Sequence, residues 1–411
     1  MSVDFERIAP MFFVRTREPG SATERIDLTG KVESFSFEDD EKKADKLSLK
    51  VDNFTLEGFD SSFWRTGREI EFSWGYASGF APPRGGIIKK VTGGTELTIE
   101  AHGKAILMAK DTKTRSFDSK SYSQIVTEIA ATHGYVGTKT QIQNTEVVYE
   151  TVTQARMSDA QFLRHLANRQ GFEYFVDLGV LHWHRADFVQ RPIRKLTYYN
   201  DISGEILSFG VEGDLTAKPG RVRMKGRDPE TKEPIEGVGD DKTTKEESTL
   251  AALLEVVAPL TGSVETVDPA DIHNATEITL PTSATSKEEA TQQAKGQYLR
   301  GARTTVKLKL VCIGDPSVLA KSVIEVAGLG AKLSGKWYVT KAKHTVEKSG
   351  YKMTLDCRRG GANAIAGAGN KPSGQPTEGK TNDKAPNEGD SLGERVGQNG
   401  EIEYVDDPRG Q

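Results

Sequence analysis

Leu47, Leu49 and Val51 alternate with Ser48, Lys50 and Asp52. A period of two places one set of side chains on each face of the backbone, so this run predicts a half-buried strand. The same alternation recurs in Ile70, Phe72 and Trp74 against Glu69, Glu71 and Ser73, and in Leu97, Ile99 and Ala101 against Thr98, Glu100 and His102. Asp39-Asp40, Pro82-Pro83, Gly85-Gly86 and Gly93-Gly94 supply turns between such runs. Residues 1–108 therefore read as an antiparallel sandwich or small barrel.

The period changes at Ser121. Ser121 and Gln124 have the spacing of a capping box, Ile125, Val126 and Ile129 form an apolar stripe, and Gly134 supplies a left-handed stop. The grammar repeats in Ser158 with Gln161, the stripe Phe162, Leu163 and Leu166, and Gly171. Strand-like stretches at 146–152 and 173–184 complete an α+β module over 109–202 with two capped helices. Residues 203–360 turn β-rich again around a helical insert. Thr244 with Glu247 caps a predicted helix bearing Leu250, Leu253, Leu254 and Val257, ended by Pro259. Ser286 with Glu289 caps a second, with Ala290, Ala294 and Tyr298 four apart and Gly301 as its close. Val306, Leu308, Leu310 and Cys312, then Tyr351, Met353, Leu355 and Cys357, alternate with polar or less apolar neighbours and predict the following strands. From 361 to 411 the composition falls to Gly, Asn, Pro and acids, too few apolar groups to offset the ordering cost of roughly 1–2 kcal/mol per residue. That segment reads as a flexible acidic tail in which Ile402, Tyr404 and Val405 are the apolar end. The overall expectation is an α+β, mainly β fold.

A length of 411 residues suggests two to four domains, and 36% hydrophobic with 28% charged residues describes a soluble globular chain. Acids number 59 and bases 55; nine and five of these lie after position 360, so the body carries 50 of each. Such a balance argues against a dedicated nucleic-acid binder. The N-terminus has acids before its apolar patch and no basic region, and no apolar run approaches ~20 residues, so neither a secretory signal nor a membrane segment is expected. Folding in a cytoplasm follows as the expectation. The two cysteines, Cys312 and Cys357, supply neither a disulfide framework nor a metal quartet and read as buried small hydrophobes.

Candidate chemistry changes this picture little. The chain has no HExxH helix, GxSxG elbow or GxxxxGK[ST] loop, and Gly328-Leu329-Gly330 lacks the third glycine of a dinucleotide fingerprint. His182 and His184 share a strand face and could take a metal with His133 or His165, but nothing in the sequence makes them converge, and surface or core histidines are the favoured reading. Glu38, Asp39 and Asp40 can be posed as a glycosidase acid and base, yet acids in turns are ordinary and no apolar pocket is implied to raise one of them. No catalytic, cofactor or metal residue is assigned.

The run from Gly314 to His344, containing Gly328-Leu329-Gly330 and Ser334-Gly335-Lys336-Trp337-Tyr338-Val339-Thr340, then Gly350-Tyr351 and Arg358-Arg359, resembles the late control protein D family of phage tail proteins. The helices carrying Tyr122 to Val126 with Ile129-Ala130, and Met157 to Leu163 with Leu166-Ala167 and Gly171, are similar to that family's paired-helix module. The resemblance spans residues 1 to about 360. It implies a structural baseplate hub rather than an enzyme: a homotrimer in which each chain contributes two tail-tube-like barrels, so that six barrels meet a six-fold tube on one side and a three-fold spike on the other. The implied partners are the tail tube protein, a separate spike protein and other baseplate proteins, with DNA as a transient passenger in the lumen. The implied location is the virion tail, assembled in the host cytoplasm. The alternatives are the hub of a phage-derived injection system, of tailocin or secretion type, and a peptidoglycan-degrading tail enzyme. Alternation between Gly335 and Thr340 places Trp337 and Tyr338 on opposite faces, so that one enters the core and the other meets a neighbouring subunit, with core packing of both as the equal alternative. With Ile402 and Tyr404 of the tail, which could add as a strand to a partner's sheet edge, these are the candidate interface residues.

Overall fold

The computed structural model describes residues 9–17, 25–187, 190–198, 204–213, 220–228, 231–240, 277–282, 284, 286–302, 306–358, 394–396 and 402–404. The first β module comprises β1 (Pro10–Arg17), β2 (Arg25–Asp27), β3 (Val32–Asp40), β4 (Lys46–Asp52), the single turn α1 (Glu57–Asp60), β5 (Glu69–Tyr76), β6 (Gly79–Phe80), β7 (Arg84–Gly93) and β8 (Glu96–Gly103). Its main strands run in the order β3-β4-β8-β7-β5-β1, all antiparallel. The alternating residues face inward as the sequence predicts: Leu47, Leu49, Val51, Ile70, Phe72, Trp74, Leu97, Ile99 and Ala101 are all buried in one core with Phe35 and Phe37.

The next segment contains β9 (Thr112–Ser121), α2 (Tyr122–Thr132), β10 (Thr140–Ile142), β11 (Val148–Ser158), α3 (Asp159–Gln170), β12 (Phe172–Asp177) and β13 (Val180–Arg185). Both capping boxes form. The hydroxyl of Ser121 accepts from the Gln124 amide while Gln124 reaches back to the Ser121 amide, and Ser158 and Gln161 repeat the exchange. Each such cap is worth about 1 kcal/mol. The stretch 173–184 divides into a hairpin at Leu178 and Gly179, whose positive φ angles of 45° and 81° match the twist of a two-residue turn. Helix faces and strands enclose a core of Ile125, Ile129, Phe162, Leu166 and Trp183, among others.

The remainder comprises β14 (Arg194–Thr197), β15 (Ile206–Gly213), β16 (Arg221–Arg227), β17 (Pro234–Gly239), β18 (Glu277–Pro281), α4 (Lys287–Ala302), β19 (Val306–Ile313), β20 (Val323–Ala327), the short α5 (Gly330–Leu333), β21 (Gly335–Glu347) and β22 (Gly350–Arg358). Strands β14-β20-β21-β22-β19-β15 follow one another, and a bridge between Tyr198 and Ile206 joins the two ends into a closed ring. The β14–β20 pair and the closing bridge are parallel, and the other neighbours in the ring are antiparallel. Leu308, Leu310, Cys312, Ile324, Trp337, Val339, Met353 and Leu355 fill its interior.

The insert contains the expected helix capped by Ser286 and adds a sheet that the sequence did not suggest. Between β15 and β19, a three-stranded sheet β17-β16-β18 packs against α4 around Val222, Ile235, Ala290, Ala294 and Tyr298. Strand and helix approach closely because β17 carries glycine where it meets α4: a Cβ on Gly237 would lie 2.1 Å from the Ala290 carbonyl carbon, and one on Gly239 would lie 2.4 Å from that of Ala294. The helix predicted to follow Thr244 lies outside the described residues.

The two β modules share a hairpin. Near its start β21 pairs with β20, from Gly335 opposite Val326 to Tyr338 opposite Val323; further on it pairs with β3, from Lys341 opposite Asp40 to Val346 opposite Phe35. The ladder between β21 and β22 shifts register between Val339 and Lys341, so Thr340 is a bulge at the crossing point. A bulge bends its strand and increases the local twist, which lets one strand serve two cores. Val346 and Tyr351 consequently belong to the first core while Trp337 and Met353 belong to the second.

Residues 373–411 form a separate unit. Within it β23 (Glu394–Val396) and β24 (Ile402–Tyr404) pair antiparallel, with Glu394 opposite Tyr404 and Val396 opposite Ile402. Glu401 and Val405 lie outside the described residues.

Candidate functional site

The acids at 38–40 meet three different environments because β3 alternates. Glu38 faces out and pairs with Lys341 at 2.9 Å, and Asp40 caps the following turn by accepting from the amides of Lys42 and Lys43. Asp39 alone turns inward. Its carboxylate binds the ammonium of Lys321 and accepts from the Ala320 amide at 3.0 Å. Burial acts to raise the Asp39 carboxyl, but Lys321 and Arg84 together hold it below the usual range. The second acid of this buried cluster is Asp45, which the sequence did not single out. Burial and the adjacent Asp39 charge push Asp45 up to about 8.

Arg84, at the start of β7, donates from Nη1 to Asp177 at 2.6 Å and to Asp45 at 3.3 Å, and lies over the Phe37 ring at 5.2 Å. Lys321 lies over Phe175 at 4.8 Å. Its φ of +65° is sparsely populated for a side chain of this kind, and its amide donates to the Val339 carbonyl at 2.7 Å. The cluster thus joins β3 and β7 of the first module, the end of β12, and the loop before β20. With a proton on Asp45, two cations face two carboxylates. The arrangement holds elements together; Asp39, 1% exposed, is sealed from any substrate.

Trp337 and Tyr338 do point to opposite sides of β21, but both rings are buried within the chain. Trp337 fills the second core and donates from Nε1 to the Leu333 carbonyl at 2.8 Å. Tyr338 donates to the Glu173 carboxylate, with oxygens at 2.6 and 2.8 Å, beneath the Arg358 guanidinium at 5.5 Å. Arg358 also binds Glu41 at 2.5 Å. The expectation of a ring turned towards a neighbouring subunit is therefore corrected: the α+β module, through Glu173, covers the face that the strand alternation left open. Alternation identifies two sides of a strand and does not say which chain covers each.

The histidines divide as well. His182 stacks on Phe175 at 4.5 Å, with His184 edge-on at 5.6 Å. Burial lowers the His182 ring to about 4. His133 is elsewhere, with Nε2 2.7 Å from Asp159. Among the described residues no group of three or more His, Cys, Asp or Glu is arranged to hold a metal.

A family model described as Alg8 N-terminal domain matches residues 49–348, nearly three quarters of the chain. The chain belongs to the Alg8_N family. The matched span starts within β4 and ends just beyond β21, so it takes in the α+β module and most of both β modules but not β1, β2, β3 or β22. No curated protein matches in sequence. Among solved structures, a tail protein from Neisseria meningitidis MC58 has a TM-score of 0.62 at 14% identity, covering 87% of this chain and 99% of its own. The 43 kDa tail protein of prophage MuSo2 from Shewanella oneidensis has a TM-score of 0.61 at 10% identity, covering 85% and 98%. A chain of the lidded Francisella PdpA-VgrG complex has a TM-score of 0.50 at 11% identity, covering 85% of this chain and 52% of its own. The α+β, mainly β fold is thus that of phage tail proteins, the class to which the motifs at 122–171 and 314–359 point.

Within the Alg8_N span two groups of exposed apolar side chains fall at places that the sequence reading passed over. Phe54 is 80% exposed, with Leu56 and Phe59 also exposed on the loop after β4. Leu207 and Phe209 are exposed on β15, which beyond its bridge at Ile206 pairs on one side only, with β19, among the described residues. The available signal was local: Phe54-Thr55-Leu56-Glu57-Gly58-Phe59 breaks the alternation that ends at Asp52.

Proposed function

We propose that the chain is a structural hub subunit of a contractile tail, forming a homotrimer that joins the tail tube to a central spike in the baseplate of the virion. The observation that carries this reading is the hairpin β21–β22, which fixes two β modules with separate cores into one chain. Three chains would then present six modules to a six-fold tube and three equivalent faces to a spike. The fold shared with tail proteins supports this role, and so does the enclosure of the candidate acids, which suits cohesion rather than glycan cleavage. Other baseplate proteins would bind the periphery, and DNA would pass through the lumen. Ile402 and Tyr404 would contact the spike.

Mass measurement and negative-stain imaging of the full chain with its tube protein test the proposal. It requires particles of three times the 45.0 kDa chain mass with three-fold symmetry. A chain that stays monomeric beside assembled tube, or closes with another symmetry, refutes it. The fold likeness to VgrG supports a second reading, a hub in an injection machine that carries no genome; nuclease-protected DNA in purified particles decides between the two.

A further inference from the structure

A cavity of about 500 Å³ lies between the first β module and the α+β module, within the 300–1,000 Å³ range of small-molecule sites. Phe37, Leu47 and Phe72 contribute apolar wall on one side, and Tyr174 and Val176 on the other. Its charged lining is mostly cationic: Lys43, Arg84, Lys104 and Arg164 against the single carboxyl of Asp45. Arg84 is 5% exposed. Its Nη1 serves Asp45 and Asp177, while Nε and Nη2 are buried and have no hydrogen-bond partner among the described residues. Nδ1 of His102, also in the lining, is buried and unpartnered too.

Buried donors are normally satisfied, so two unpartnered nitrogens on one guanidinium call for an acceptor. Nε and Nη2 form one edge of the planar fork, and that edge matches the two oxygens of a carboxylate. We propose that the cavity binds an amphiphilic carboxylate, its acid group across Nε and Nη2 of Arg84 and its apolar body against Phe37, Phe72 and Tyr174. Such a ligand would bridge two modules of the chain. The proposal stands independently of the hub reading.

Isothermal titration of the full chain with decanoate, decanol and decyl phosphate tests it at neutral pH. Decanoate should saturate one site and bind at least tenfold more tightly than either comparison compound. Ala105→Phe, which adds a ring to the cavity wall and leaves Arg84 in the sequence, should abolish the binding, and Arg84→Lys, which keeps the charge but removes the fork, should weaken it at least tenfold. Circular dichroism checks that each variant folds; if Arg84→Lys does not, the ligand series and Ala105→Phe still decide. Absence of saturable decanoate binding, equal affinity for decanol, tighter binding of decyl phosphate, or unchanged affinity in a folded Ala105→Phe variant overturns the proposal.

Discussion

Trp74 donates its indole N–H to the hydroxyl of Tyr351 at 2.9 Å, across 277 residues of sequence. Nδ1 of His344 lies 2.8 Å from the same oxygen. Burial holds His344 down to about 4, so the ring is neutral at pH 7. In the tautomer protonated at Nε2, Nδ1 accepts from the Tyr351 hydroxyl, and the chain of donors runs from Trp74 through Tyr351 to His344. Trp74 lies on β5, and the other two lie on the hairpin that both modules share.

Tyr351→Phe should therefore strand a buried indole donor and a buried imidazole acceptor. Each unmade bond of this kind costs about 1–3 kcal/mol. Urea unfolding should show a lower midpoint, and a double-mutant cycle with Trp74→Phe should show coupling between the two sites. Additive losses would mean that the bond contributes nothing to joining the modules.

Asp45 makes the junction sensitive to base. Its carboxyl is raised from an ordinary 3.8 to about 8. A group whose folded value is raised stabilises the fold at low pH, and that contribution is lost as pH rises through the folded value. Asp45 should make the melting temperature of the wild-type chain fall from about pH 4 to about pH 8 and add nothing further above that, and Asp45→Asn should flatten the decline by removing the ionisation. Parallel profiles for the two proteins would show that Asp45 does not hold the proton.

Much of the architecture was legible locally. The Ser121–Gln124 and Ser158–Gln161 boxes needed only a spacing of three, and the inward rows of β4, β5, β8, β19 and β22 needed only a period of two. The shared hairpin was not legible, because the same alternation continues through Thr340 while the strand passes from one core to the other. Nor could the sequence bring Asp39, Asp45, Arg84 and Lys321 together, since residues so far apart in sequence meet only through tertiary packing. Trp337 and Tyr338 show the boundary clearly: opposite faces could be read, but Glu173 as the cover for Tyr338 could not.

Asp159 should govern acid stability in the α+β module. Burial opposes its charge, but bonds from Lys113, His133 and Gln154 and the charge of Arg115 hold it at about 2, below the ordinary 3.8. A depressed carboxyl stabilises above its unfolded value and loses that contribution as pH falls through the folded one. The shift is worth ~2 kcal/mol. Acid titration followed by circular dichroism should show this loss between about pH 4 and 2, and Asp159→Asn should lack the step.

Gly237→Ala tests the close approach of β17 and α4. The added methyl would meet the backbone of Ala290 and Thr291 at 2.1–2.3 Å, so the helix must move and uncover Ala290, Ala294 and Tyr298. Hydrogen exchange should rise in α4 while β21 and β22 keep their protection. Unchanged exchange in α4 would show that the contact is looser than this geometry requires.

Two substitutions separate cohesion from assembly. Trp337 is fully buried, and its replacement by alanine should cost ~3–5 kcal/mol through the lost contacts and the cavity left behind. Phe209 is 41% exposed on β15, where Leu207 is exposed as well, and beyond the bridge at Ile206 that strand pairs only with β19 among the described residues. Sheet edges of this kind invite pairing with another chain. Phe209→Lys should leave the monomer's melting temperature within the small range usual for surface changes, about ±0.5 kcal/mol. If β15 is a subunit contact of the proposed ring, the same change should sharply reduce the yield of trimer. Trp337→Ala should instead lower both quantities together, since the ring cannot assemble from an unfolded module. A Phe209→Lys chain that assembles normally would remove β15 from the interface and leave the loop of Phe54, Leu56 and Phe59 as the next apolar surface to substitute.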